Sequence, residues 1–214
     1  ANSLVGWMPG GLAIVAFLAS AFFGAISGSS LATVAAIGAI VVPSMLDEGY
    51  PLPFALSTVA SAGWLGIIIP PSIPMVLYGT AGNVSVGDLF LAGVLPGIIL
   101  MAGMACYSFY YGKKYLPSRK KFSTSEVWNS FRDAIWAIGM PVIILGGIYG
   151  GIFTPTEAAA VACLYGFLVG IFIYRELNWK LLKEIMHSSV ITTSFIMFIC
   201  ASATAYGYVM TMEM

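Results

Sequence analysis

The sequence predicts an all-α membrane protein, a polytopic helical bundle with a re-entrant hairpin and a broken transmembrane helix. Of its 214 residues, 59% are hydrophobic and only 8% are charged, whereas a soluble domain carries about 25% charged residues. The charged residues also fall in a few short segments and leave long uncharged runs between them. Since about 20 apolar residues cross a bilayer as a helix, most of these runs can span once. Glycines and prolines interrupt two of the runs, and these interruptions predict the hairpin and the break.

The basic residues orient the predicted spans. Residues 113–121 carry five of the nine Lys and Arg residues, so the positive-inside rule places this segment in the cytoplasm. The segment 80–88 is then periplasmic, and the basic segment 175–184 returns to the cytoplasm. Net charge is zero, which gives no indication of nucleic-acid binding.

The first uncharged run, residues 1–46, is interrupted by paired glycines and by a Gly-Ser segment. Its two apolar arms are about 12–16 residues each, or roughly 18–24 Å as helix, which is short of a full span of about 30 Å. A hairpin that enters and leaves on one side fits these lengths. Two ordinary short spans are the alternative.

The predicted hairpin tip, residues 24–33, combines serine and threonine hydroxyls with glycines inside an apolar stretch. Irregular backbone at membrane depth is tolerated where it is buried in protein or lines a watery cavity. Neutral oxygen ligands suit a hard monovalent cation such as Na+, and the N-terminus of the second arm can bind an anion. Close packing of small residues between helices is the alternative interpretation.

The second interruption contains Pro70, Pro71 and Pro74, each of which lacks a helical N–H donor. It predicts a broken helix with free carbonyls near Gly66 to Ile69 and a new N-terminus near Ser72. A simple proline kink is the alternative. Because unpaired backbone cannot face lipid, we expect residues 27–30 and 66–72 to meet near the middle of the membrane.

Three further segments have local explanations. Thr154, Pro155 and Glu157 have the spacing of a capping box at a helix start. Residues 122–133 and 176–186 have the pattern of amphipathic helices at the cytoplasmic interface. The single histidine, His187, follows the second of these segments, and we expect it at the interface rather than in catalysis.

Several stretches together resemble the large membrane subunit of tripartite ATP-independent periplasmic (TRAP) transporters. They cover the chain in order and comprise residues 23–30, 32–38, 69–79, 86–93 and 153–162. The resemblance implies a Na+-coupled, elevator-type carrier in the bacterial inner membrane. Such carriers receive an organic acid from a periplasmic binding protein and work with a small membrane subunit.

The resemblance also implies that a second, inverted half of the family fold is absent, and we expect the chain to be an internal piece of a longer protein. Residues 1–112 would hold the hairpin and broken helix of the mobile transport domain. Residues 113–214 would hold the linker, scaffold spans and interfacial helices that lead to the missing half. Among substrates, the resemblance favours C4-dicarboxylates over sugar acids.

The candidate site residues follow from the two interruptions. The predicted Na+ ligands are Ser27, Gly28, Ser29, Ser30, Gly66, Pro70 and Ser72. The predicted substrate contacts are Ser30, Thr33, Ser61, Pro71 and Ser72. Neither interruption contains Arg or Lys, so anion recognition would depend on helix N-termini, hydroxyls and the bound ion.

Two other function classes compete with a carrier. An intramembrane serine hydrolase needs a base next to its nucleophile, but the only histidine is far along the chain and no Gly-x-Ser-x-Gly or His-Glu-x-x-His motif occurs. A passive channel subunit lacks a filter-like repeat here. We therefore expect a transporter rather than an enzyme, with lipid as its main surroundings.

Overall fold

The computed structural model describes residue 5 and residues 8–115 and 124–212. Within these residues the chain forms helices and no strands. The α-helices are α1 (Gly11–Ser27), α2 (Ser30–Asp47), α3 (Leu52–Ala62), α4 (Leu65–Ile68), α5 (Ile73–Gly82), α6 (Val86–Tyr115), α7 (Thr124–Tyr149), α8 (Pro155–Leu168) and α9 (Trp179–Met212), and a π-helix, Val169–Ile173, directly follows α8. The prediction of an all-α protein is confirmed.

The helices α1 and α2 form the predicted hairpin, but its arms are longer and its tip is shorter than expected. The arms have 17 and 18 residues, and only Gly28 and Ser29 lie between them. The helix continues through Gly24, since a single helical glycine costs only about 1 kcal/mol relative to alanine. The second arm is long and apolar enough to cross a membrane.

The first compact core lies where the hairpin packs against α3. Leu12 and Ala16 of α1 contact Ile37 and Val41 of α2, and Ala55 of α3 joins them. These positions recur at three- and four-residue spacing in both arms, which places them on one face of each helix. This packing fixes the hairpin against the start of the broken helix.

The broken helix is confirmed. It runs through α3 and α4, is extended from Ile69 to Ser72, and resumes as α5. The axes of residues 52–68 and 73–82 differ by 40°. The break falls at the Pro70-Pro71 pair because neither residue can donate a helical hydrogen bond.

Two predicted interfacial helices are not separate elements. The helix α7 begins at Thr124 and continues to Tyr149, and α9 begins at Trp179 and continues to Met212. No glycine or proline separates either amphipathic segment from the apolar run that follows it, so each helix simply continues. Residues 122 and 123, and the side chains up to residue 127, lie outside the described residues.

The capping box at α8 is confirmed. The Thr154 N–H donates to Glu157 Oε2 at 2.8 Å, and the Glu157 N–H donates to Thr154 Oγ1 at 3.3 Å. The isolated carboxylate therefore satisfies a free backbone donor at a helix start.

Much of the surface is apolar. Four described helices are long and apolar enough to cross a membrane, and the bent pair counts as a fifth. In α9, Phe195 and Phe198 are 68% and 73% exposed, and apolar exposure of this extent is unfavourable in water. The chain forms two compact units, residues 1–163 and 164–214. The functional division at residue 112 stays a prediction.

Candidate functional site: the hairpin tip and the helix break

The hairpin turns at Gly28. Its φ of 63° lies in the left-handed region, which glycine enters without the penalty that a Cβ brings. The Gly28 N–H donates to the Gly24 carbonyl at 2.7 Å and ends α1. Ser29 then caps α2, because its Oγ accepts the Ala32 N–H at 3.4 Å. The tip is thus a tight link between two capped helices.

Three neutral oxygens cluster behind this turn. The Thr33 hydroxyl donates to the Ser29 carbonyl at 2.7 Å. Ser27 Oγ lies 3.5 Å from both the Ser29 carbonyl oxygen and Thr33 Oγ1. Thr33 is fully buried, so this cluster is on the protein side of the tip rather than on the lipid side.

The helix break presents a second set of polar groups. Ser72 is extended at φ −134° and precedes α5. Its hydroxyl donates to the Ile67 carbonyl at 2.6 Å, across the break. Only 1% of Ser72 is exposed, and Pro70 is also buried.

The tip and the break touch, as predicted. The Ile73 N–H of α5 donates to the Gly28 carbonyl at 3.2 Å. Behind this bond, α1 and α4 approach through glycines, because a Cβ on Gly24 would lie 2.5 Å from the Gly66 Cα. A Cβ on Gly66 would collide with the Thr33 hydroxyl and lie 3.0 Å from the Ser29 carbonyl oxygen. The oxygen cluster therefore faces Gly66 directly.

Two predicted substrate residues lie elsewhere. Ser30 points towards α3, where a Cβ on Gly63 would lie 3.1 Å from its Oγ. Ser61 donates its hydroxyl to the Ser57 and Thr58 carbonyls at 2.7 and 3.0 Å, and it lines a different cleft. The structure does not bring Ser61 to the tip, and its role in substrate binding stays a prediction.

A cavity of about 360 Å³ lies beside the tip and the break. The predicted residues on its wall are Ser27, Gly28, Pro71 and Ser72. Helices α7 and α8 supply the apolar wall, which includes Met140, Ile144, Ala159, Ala162 and Cys163. Sequence reasoning missed this second wall, because its residues have the same apolar character as residues that face lipid.

Charge is absent from both parts of the site. Residues 24–33 and 66–74 contain no Asp, Glu, Lys, Arg or His. Within the described residues, no group of three or more His, Cys, Asp and Glu side chains could hold a metal ion. At the start of α2, the N–H groups of Ser30 and Leu31 have no acceptor among the described residues. The site thus offers neutral oxygens and free N–H groups.

Within the part of the chain that the structure describes, the hydroxyls of this site have no catalytic base beside them. The hydrogen-bond partners recorded there for Ser27, Ser29 and Ser72 are backbone groups and the Thr33 hydroxyl. A serine nucleophile requires a general base within hydrogen-bond reach.

The fold and the site define a polytopic helical membrane protein whose polar groups converge on a hairpin tip and a broken helix, the arrangement of many secondary transporters. The chain belongs to the family described as "Tripartite ATP-independent periplasmic transporter, DctM component", whose family model matches residues 1–214. The resemblance inferred from the motifs is confirmed.

Curated relatives carry the same designation. The chain is 46% identical over 214 residues to the C4-dicarboxylate TRAP transporter large permease protein DctM of Pseudomonas aeruginosa, covering 100% of the chain and 50% of the relative. It is 40% identical over 209 residues to the 2,3-diketo-L-gulonate TRAP transporter large permease protein YiaN of Escherichia coli, covering 97% and 49%. It is 37% identical over 210 residues to the ectoine TRAP transporter large permease protein TeaC of Halomonas elongata, covering 98% and 49%.

The chain spans about half the length of these relatives. They are named as transporter permeases, which are not enzymes, and the hydrolase alternative finds no support. Their named substrates differ from one another, so family membership alone does not select a substrate.

Proposed function

We propose that this chain is part of a carrier that couples Na+ to the uptake of an organic acid across the bacterial inner membrane. The observation that carries the proposal is the contact between the hairpin tip and the helix break, which holds three neutral oxygens beside Gly66.

The oxygen cluster is the proposed Na+ site. The Ser29 carbonyl accepts the Thr33 N–H at 3.1 Å and the Thr33 hydroxyl at 2.7 Å, so it has a lone pair for an ion once that hydroxyl turns away. The hydroxyl oxygens of Thr33 and Ser27 also keep free lone pairs while they donate. Neutral oxygens can replace the hydration shell of a monovalent ion, as carbonyl-lined filters do. Carbonyls from the break and Ser72 complete the ligand set that we propose.

The organic acid would bind next to this ion. The free N–H groups of Ser30 and Leu31 lie at the N-terminus of α2, where the helix dipole favours negative charge. A bound cation strengthens this field, so the ion and the anion each improve the binding of the other by the same factor. The name of the Pseudomonas aeruginosa relative favours a C4-dicarboxylate.

The partners in this proposal are a periplasmic binding protein that delivers the substrate and a small membrane subunit. The names of the relatives as TRAP large permeases support both. The family description contains the word periplasmic. A carrier that receives its substrate in the periplasm must lie in the inner membrane, and we propose this location.

The test is Na+-dependent uptake by the full transporter in proteoliposomes with added binding protein. Thr33→Val and Ser27→Ala each remove one proposed ligand. We expect each to raise the Na+ concentration for half-maximal uptake about tenfold, equivalent to about 1.4 kcal/mol.

Matched controls exist in α2 and α5. Thr80→Val and Ser44→Ala remove hydroxyls that donate only to carbonyls of their own helices, and both should keep the wild-type Na+ dependence. If Thr33→Val and Ser27→Ala also kept it, the tip would not be the ion site.

A further inference from the structure

A second cleft, of about 650 Å³, lies on another side of the same compact unit. Its walls are α3 and α6, and Phe17 of α1 forms part of the lining. The remaining lining residues are Phe54, Ser57, Thr58, Ser61, Ile99, Leu100, Gly103, Met104, Tyr107 and Ser108. Along α6, the stretch from residue 99 to residue 108 is about 14 Å long.

The cleft is open because its two walls are not closely packed. Helices α3 and α6 are not among the closely packed helix pairs, and a Cβ on Gly103 would meet nothing within 4 Å. The hydroxyls of Ser57 and Ser61 donate to carbonyls of their own helix at 3.0 and 2.7 Å. These two serines therefore need no polar ligand, and an apolar chain can lie against them.

Aromatic rings bridge the walls at one end of the cleft. Phe54 of α3 stacks on Tyr111 of α6, with ring centroids 4.0 Å apart and planes at 10°. Tyr107 and Tyr115 flank Tyr111 along α6 at centroid distances of 6.4 and 4.8 Å. Tyrosines gather at the interface between the apolar core and the headgroups, so this stack marks the level where the cleft leaves the bilayer.

Positive charge lies directly beyond the rings. Lys114 Nζ lies 5.1 Å from the Tyr115 ring centroid. By helical spacing, Lys114 follows Tyr107 and Tyr111 on one face of α6, seven and three residues further on. Lys113 is adjacent, and both lysines are exposed.

Charged residues of both signs lie near this end of the cleft. Asp47 ends α2 and Glu48 follows it, whereas Lys113 and Lys114 lie in the last turn of α6. Burial, reinforced by the Glu48 carboxylate, raises the pKa of Tyr50 to about 12. This phenol, stacked on Phe54, is therefore neutral at physiological pH.

We propose that this cleft binds one anionic phospholipid of the cytoplasmic leaflet. An acyl chain lies along α6 between Ile99 and Tyr107, and the phosphate lies at Lys114 beyond the tyrosines. The lysine stem covers the apolar ring while its ammonium reaches the headgroup. Basic pockets between transmembrane helices on the cytoplasmic side bind the headgroups of anionic lipids in this way. The inference does not depend on transport, because it concerns lipid binding alone.

The headgroup part is tested by native mass spectrometry of the full-length protein with added phosphatidylglycerol or phosphatidylcholine. We expect wild type to bind phosphatidylglycerol more tightly. Lys114→Gln should weaken phosphatidylglycerol binding about fivefold and remove most of this preference. Lys183→Gln is the matched control, since Lys183 Nζ lies 5.9 Å from the Trp179 ring centroid and Lys183 does not line this cleft.

The acyl-chain part is tested by filling the cleft. Gly103→Leu places a side chain in open space within the cleft, and we expect at least tenfold weaker binding of both lipids. Gly146→Leu is the control, because its Cβ also meets nothing within 4 Å and Gly146 does not line the cleft. Equal binding of the two lipids by wild type, or equal effects within either pair of variants, would overturn the proposal.

Discussion

Adding one methyl group at Gly66 should weaken Na+ binding. The new Cβ would overlap the hydroxyl of Thr33 and lie 3.0 Å from the Ser29 carbonyl oxygen. Thr33 is fully buried and the second neighbour is backbone, so the hairpin tip must move away as a unit. The oxygens of the cluster would then lie too far from the break to bind the same ion.

The magnitude follows from the cost of overpacking. Forcing a methyl group into a close-packed contact costs about 1–3 kcal/mol. If this cost falls on the state in which tip and break touch, Na+ affinity falls by about 5- to 150-fold. The assay is a Na+ titration of uptake by the full transporter, together with its melting temperature.

Two companion variants separate ion binding from folding. Gly82→Ala places its Cβ at an ordinary 3.6 Å from Val84 and should behave as wild type. In Gly66→Ala with Thr33→Ala, the overlap with the hydroxyl disappears while one proposed ligand is lost. Its melting temperature should recover in part, because the close approach to the Ser29 carbonyl remains, and its Na+ affinity should stay low. Retention of the wild-type Na+ titration by Gly66→Ala would refute the reasoning.

Three further predictions concern turns, caps and topology. Gly28→Ala should lower stability by about 1–2 kcal/mol in thermal melts, since Gly28 has φ 63° and a Cβ would lie 3.1 Å from the Ile73 N; an unchanged melting temperature would contradict the left-handed turn. Thr154→Ala removes a helix cap and should lower the free energy of unfolding by about 1 kcal/mol in thermal melts without changing the Na+ titration. A changed Na+ titration at unchanged stability would contradict the purely structural role of this cap. A cysteine at Ser118, outside the described residues, should react with impermeant reagents only after cells are permeabilised, and ready labelling of intact cells would invert the orientation.

The interruptions of the fold could be predicted from sequence because glycine, proline and hydroxyl residues have local effects. The break at Pro70, the helix start at Ser72 and the capping box at Thr154 all follow from single-residue chemistry. The meeting of tip and break was predictable because polar backbone cannot face lipid. The length of the tip could not be predicted. A glycine such as Gly24 looks the same in sequence whether it ends a helix or allows another helix to pack closely against it.

Other parts of the site lay beyond sequence reasoning. In a membrane protein, apolar residues face lipid as well as the core, so the wall formed by Met140 and Ala162 has no distinguishing pattern. The same ambiguity affects Ser61, a hydroxyl residue in an apolar run. The sequence suggested a place at the tip, but Ser61 lines the second cleft, for which we propose a lipid. Its hydroxyl is satisfied within its own helix, which the sequence does not reveal.

The hydrogen bond from Ser72 to the Ile67 carbonyl makes the broken helix a rigid elbow rather than a hinge. A hinge absorbs changes in φ and ψ, but here the rings of Pro70 and Pro71 restrict φ at the bend, and the 2.6 Å hydrogen bond joins its two sides. The Ile73 N–H fastens the elbow to the hairpin tip. Any large rearrangement therefore has to carry tip and elbow together as one piece, with the bending located in other parts of the chain.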